Sequence, residues 1–225
     1  MNIDTMRRAM CLVALVLPMT WVAGSIAAQM QLAAARGESY GVAVNTPSLN
    51  QKSPYAVLPT DGATTIDRGQ SVALGDYVTA QDAFAIVSGD ADPSYGSNAV
   101  SSATLGTVSL LNGLISADGV VAVATSTLDA TGAASDAEGS SLANLFVNGT
   151  AISDPAPNTR MDLPGVGYVL LNERNVTGDG VTSSGITVNM IHVVLQQPVI
   201  GLLGQVIGYQ TVGNIIVGSA TSGVN

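Results

Sequence analysis

One cysteine, one tryptophan, one histidine and one lysine occur in 225 residues, and each scarcity removes a class of protein. Cys11 and Trp21 both lie in the uncharged stretch from 9 to 28, so a chain that loses this stretch has neither. That excludes the small disulfide-stapled secreted scaffolds. A single lysine, Lys52, and a formal charge of −9 leave no positive patch to displace counterions, which excludes nucleic acid and anionic membranes as partners. Charged residues are only 10% and aromatics 4%, against the roughly 25% charged that is usual. Small and β-branched side chains fill the space, so the core is expected to be built from them. His192 stands alone, and a histidine-based zinc site would need further nitrogen or sulfur ligands that are absent. No cofactor is expected.

The amino terminus has the form of an export leader: Arg7 and Arg8 precede "AMCLVALVLPMTWVAGSIAA" at 9–28, and small residues close the apolar run. Cleavage is expected after Ala27, with Ser25 at the −3 position, or after Ala28, with Ala35 a more distant alternative. The arginine pair lacks the polar and aromatic company of a twin-arginine signal, which points to the Sec route. Cys11 lies near the basic end, not behind a small-residue lipobox, so it is not a lipoprotein cysteine. An uncleaved anchor is the other reading, because about 20 apolar residues can span a bilayer; Pro18 and the small-residue end favour removal. No later run reaches spanning length. The reading divides the chain into a signal peptide with a signal helix (1–28), an extended segment (29–54) and one β domain (55–225).

Beyond the leader the pattern is β. Segments rich in Val, Ile and Thr recur between Gly, Asn, Asp and Pro clusters: "YGVAVN", "NAVSSATLGTVSLL", "GVVAVATSTL", "SLANLFV", "GYVLLNERNV", "ITVNMIHVVLQ" and "NIIVGSATSGV". In "VVAVATSTL" alternation puts Val121, Val123, Thr125 and Thr127 on one face and Ala122, Ala124, Ser126 and Leu128 on the other. Asn112-Gly113 and Asn148-Gly149 mark hairpin turns that need positive φ, and Pro164-Gly165 marks another turn. The stretches 45–70, 88–98, 131–141 and 153–158 are expected to be surface loops. Several short strands joined by hairpins must bury one face against a second sheet, so the expected fold is an all-β antiparallel sandwich. A β-solenoid is the alternative, weakened by the lack of an exact repeat.

Candidate chemistry is sparse. Alternation places His192 with Ile186, Val188, Met190 and Val194 on one strand face, where a buried imidazole needs a hydrogen-bond partner such as a backbone carbonyl. Catalysis by His192 would need an orienting group and a nucleophile, and no catalytic residue is assigned. For calcium, which takes clustered oxygen ligands, the candidates are Asp90 and Asp92 in "GDADPSYG" and Asp179 in "NVTGDG". Both fall short of a full loop: the twelfth positions counted from Asp90 and Asn175 are Ser101 and Ile186, not bidentate carboxylates. A carboxylate pair could hydrolyse glycosides, but without its leader the chain has no tryptophan to stack on sugars. The sequons at Asn148 and Asn175 are read as chance matches in a bacterial export.

"LLNGLISADGVVAVATS", "GSSLANLFVNGTAI", "APNTRMDLPGVGYVLLNER", "GITVNMIHVVL" and "IIVGSATSGV" follow one another in an order and spacing that resemble the choice-of-anchor P family of bacterial exported proteins, over about residues 40–224. The resemblance implies an extracytoplasmic, non-enzymatic domain, and His192, inside "TVNMIHV", inherits no catalytic role from it. Members carry different carboxy-terminal surface anchors, whereas this sequence runs to "TSGVN" with neither an apolar helix nor a basic tail; "LPTDG" and "LPGVG" are internal and are not sortase signals. The expected function is structural or adhesive, outside the cell or on its surface, with the periplasm as the alternative compartment. Self-association through β-edges is expected, one form being a polymer in which 29–54 adds a strand to the next subunit. The alternative function is a glycan- or calcium-dependent binding module.

Overall fold

The computed structural model describes residues 34–92, 94 and 96–225. The expected signal helix and the cleavage positions near Ala27 and Ala28 lie outside them. Among the described residues, fourteen strands make up two antiparallel sheets. The first sheet runs, edge to edge, β11 (Thr159–Leu163), β12 (Gly167–Gly178), β13 (Ser184–Ile200), β14 (Val206–Val224), β1 (Ala35–Thr46) and β2 (Leu49–Val57). The second runs β10 (Thr150–Ile152), β9 (Leu145–Val147), β6 (Ile115–Asp129), β5 (Gly96–Leu110), β4 (Val78–Asp92) and β3 (Thr65–Leu74), with β7 (Gly132–Asp136) and β8 (Ser141–Leu142) also pairing β6. The described residues therefore form an all-β sandwich, with neither the closed ring of a barrel nor the stacked turns of a solenoid. Among them, no helix is long and apolar enough to cross a membrane.

The local signals act where the sequence places them. Asn148 and Gly149 both take positive φ between β9 and β10, and Asn112 and Gly113 do so between β5 and β6, the backbone that Asn and Gly tolerate best. Gly165, also at positive φ, turns β11 into β12. The stretch 45–70 is more ordered than expected: it holds β2 and the start of β3, whose exposed polar residues hide the alternation of edge strands. The boundary between 54 and 55 falls inside β2, and from Ala35 onward the expected extended segment is part of the first sheet, with β1 hydrogen-bonded on both sides.

The interior changes character along the strands. At one end Val42, Val44, Val108, Leu110, Ile115, Leu171, Ile191 and Ile215 interleave in a hydrocarbon core. At the other end the sheets approach through small residues and hydroxyls. Ser126 Oγ hydrogen-bonds Ser222 Oγ at 2.7 Å across the sandwich, and Ser135 Oγ bonds both Ser126 Oγ and Ser184 Oγ at 2.8 Å. Ser101 donates to the Thr221 carbonyl at 2.6 Å and Ser39 to the Ile86 carbonyl at 3.2 Å. Each hydroxyl carries its own donor and acceptor, so these serines meet the requirement that buried polar groups be paired, with the buried Ser97 Oγ on β5 the exception.

A transverse fault separates the two ends. In the first sheet Asn172 and Gly218 adopt positive φ, and at that level two consecutive residues face inward: Met190 and Ile191 both belong to the core, as do Val217 and Ala220 on either side of Gly218. The second sheet is interrupted likewise at Asp82 and Gly119, both at positive φ. A left-handed residue in a strand inverts the alternation beyond it. The pairing register stays in step because neighbouring strands invert together.

Candidate functional site

The inversion decides what the outer face of the first sheet displays. Unbroken alternation from Ile186 would send His192 into the core; with Met190 and Ile191 both inward, His192 faces out instead. Register then defines three successive outward rows: Tyr55, Tyr40, Ser219, Asn189 and Glu173; Lys52, Ala43, Ile216, His192 and Leu170; Asn50, Asn45, Asn214, Val194 and Tyr168. Residues far apart in sequence thus meet on one surface spanning β2 to β12.

A chain of hydrogen bonds crosses it. Ser219 Oγ donates to Asn189 Oδ1 at 2.7 Å, and Asn189 Nδ2 donates to Glu173 Oε2 at 2.7 Å. His192 Nδ1 donates to the same Glu173 oxygen at 2.9 Å, and His192 Nε2 lies 3.1 Å from Asn214 Oδ1. With the Asn214 oxygen facing Nε2 and the Glu173 carboxylate facing Nδ1, both ring nitrogens of the protonated imidazole have an acceptor. Burial works against that charge, yet the hydrogen bonds to Glu173 and Asn214 and the Glu173 charge outweigh it and hold the His192 pKa above its ordinary value. Glu173 is held below the usual carboxylate value, chiefly by the bond from His192. Lys52 pairs with Glu38 and lies 4.6 Å from the Tyr40 ring centroid and 5.0 Å from that of Tyr55, a cation–π placement.

Glu173 orients His192 as a carboxylate orients a catalytic imidazole, but Nε2 is engaged by an amide instead of a hydroxyl or thiol nucleophile. What the arrangement does chemically is fix side chains and neutralise charges. Beside it lies a depression of about 270 Å³ bordered by Tyr40, Ala43, Asn45, Asn50, Lys52 and Asn214.

The acidic candidates do not meet one another. Asp90 and Asp92 are on β4, opposite Asn98 and Gly96, and Asp92 Oδ1 accepts the Ser94 N–H at 2.7 Å. Asp179 folds back on its own loop, accepting the N–H groups of Val181, Thr182 and Ser183 and the Thr182 hydroxyl. These bonds, the Val181 N–H foremost, hold its carboxyl far below the usual range. Among the described residues, no three His, Cys, Asp or Glu side chains are grouped to hold a metal ion.

No family model, curated protein or solved structure matches the chain.

The feature that composition hid is a ribbon. Beyond Gln196 on β13, whose N–H still donates to the Val166 carbonyl at 2.7 Å, and before Asn214 on β14 the two strands pair only with each other, because β12 and β1 have ended. Its tip carries Leu202 and Leu203, which are 105% and 91% exposed, and its strands expose Val199, Ile200, Val206, Ile207 and Tyr209. No Asp, Glu, Lys or Arg occurs from 180 to 225. At the ribbon's base a cleft of about 470 Å³ is lined by Leu163, Val166, Pro198, Val206 and Tyr209, with Arg160 and Asp162 at its border. The absence of charge along "QQPVIGLLGQVIGYQ" was the available signal; its exposure depends on where β12 and β1 end.

Proposed function

We propose that this chain is an exported, non-enzymatic structural or adhesive protein of the bacterial cell surface or extracellular space, carried there by the Sec route, and that it belongs with the choice-of-anchor P proteins it resembles. The ribbon supports this reading most directly. Isolated surface leucines are ordinary, but a continuous apolar tip marks a contact surface. Its strands offer unpaired backbone groups on both edges, so another copy can add to it by strand pairing. The ribbon is the edge we assign to the self-association expected of this chain, its partner a second copy. β1 is fully paired within its own sheet, which makes the ribbon a better donor than the segment 29–54.

Sedimentation velocity tests this. The exported protein should show concentration-dependent association, and Leu202→Ser with Leu203→Ser should abolish it. Losing two buried leucines removes about 3 kcal/mol, roughly two orders of magnitude in Kd. A wild-type protein that sediments as a monomer at every concentration would defeat the proposal.

A further inference from the structure

We propose that the depression on the outer face of the first sheet, between Asn45, Asn50, Asn214 and His192, is a binding site for an uncharged saccharide. Three asparagines stand side by side across β2, β1 and β14, Asn50 opposite Asn45 and Asn45 opposite Asn214. Asparagine is a poor strand residue, disfavoured at such positions. The amides of Asn45 and Asn50 are exposed and make no hydrogen bond among the described residues. Asn45 and Asn50 therefore weaken their strands without a compensating contact among the described residues, which is how a binding surface departs from the choices that favour folding.

The surroundings narrow the ligand. Asn214 is turned by His192, which takes its oxygen at 3.1 Å and leaves its NH₂ free to donate. The two cations nearby are matched inside the protein, Lys52 by Glu38 and His192 by Glu173, so the site offers amide dipoles without net charge. An anionic ligand would also approach a chain of charge −9. The floor is apolar, formed by Ala43 and Ile216 in the next row. Amides that both donate and accept suit vicinal hydroxyls, and an apolar floor suits the C–H face of a sugar ring. A volume of about 270 Å³ lies just under the roughly 300–1,000 Å³ of drug-sized pockets and fits a single ring. This site is separate from the ribbon and does not depend on self-association.

Saturation-transfer NMR on the full exported protein provides the test, with D-glucose, D-galactose, D-mannose and N-acetyl-D-glucosamine as neutral probes and D-glucuronate as the anionic one. At least one neutral sugar should receive saturation, with Kd about millimolar as befits a small ligand on an open site, and glucuronate should receive none. Asn45→Thr with Asn50→Thr should weaken binding at least tenfold while the melting temperature holds or rises, because threonine suits a strand better. A merely structural role for the asparagines would give the opposite, a lower melting temperature. No transfer to any of the four neutral sugars, equal transfer to glucuronate, or transfer that survives both substitutions would overturn the assignment. Association state is read separately by sedimentation, so failure here and failure of the ribbon reading are distinct results.

Discussion

Glu173 and His192 form a pair whose pKa values move in opposite directions, Glu173 down and His192 up, and the signs set a window. His192 has a folded pKa above its unfolded value near 6.5, so its contribution is complete below about pH 6.5 and disappears as pH rises through the folded pKa. Glu173 has a folded pKa below its unfolded value near 4.3, so its contribution is complete above about pH 4.3 and disappears as pH falls through the folded pKa. Both are present between about pH 4.3 and 6.5. Glu173→Gln should therefore lower stability most in that window, by about 1–2 kcal/mol for a charge-assisted bond on a half-buried surface. The loss should shrink above the His192 transition. Thermal melts of both proteins from pH 4 to pH 9 check this; a deficit that grows toward pH 9 would contradict the pairing. Glu173 is invisible as a partner in the sequence, because the pairing depends on the inversion at Met190 and Ile191.

At the scale of the strand, the fault depends on backbone that only a few residues adopt easily. Gly218 sits at φ +64°, and a Cβ there would come 2.6 Å from Val120 Cγ1 and 3.5 Å from Met190 Cβ. Left-handed backbone costs a side-chain-bearing residue about 1–2 kcal/mol, and overpacking against the opposite sheet adds about 1–3 more. Gly218→Ala should lower stability by about 2–5 kcal/mol, whereas Gly208→Ala, in the ribbon with nothing within 4 Å of the added methyl, should change it by under about 0.5 kcal/mol. Denaturant unfolding of the two variants measures the contrast, and equal effects would remove the structural role given to the fault. This level also shows what the sequence could convey. The alternation in β6 is right, and the buried side is the smaller one, Ala122, Ala124 and Ser126, because serine and alanine let the sheets close together. The Asn-Gly turns are right because their chemistry is local. β2 and the start of β3 fall in the stretch 45–70 expected to be loop because an edge strand exposes most of both faces and carries no two-fold pattern. The outward course of His192 is unreadable in its own segment because the left-handed residues at that level, Asn172 and Gly218, lie on the neighbouring strands β12 and β14.

For the whole molecule, the order of strands separates what folding needs from what the ribbon adds. β3 to β6 form the second sheet through successive hairpins, contacts close in sequence. The first sheet is different, since β14 lies between β13 and β1 and joins the last described strand to the first. Until β14 docks, the β1–β2 hairpin has no attachment to the rest of its sheet, and the core facing Val42, Val44, Ile215 and Val217 stays open. Such non-local closure is slow, on the order of milliseconds to seconds. It follows that the inner part of β14, from Asn214 onward, carries the cooperativity, while the ribbon's strands pair only with each other beyond its base. A chain ending at Gln205 should show no cooperative thermal transition. A chain in which residues 198–209 are replaced by an Asn-Gly turn should melt as sharply as wild type, because every pairing of β13 with β12 and of β14 with β1 is retained. It should also lose self-association. Calorimetry and sedimentation on those two chains test the division together: if removing the ribbon collapsed the fold, its exposed leucines would be structural and would need no partner.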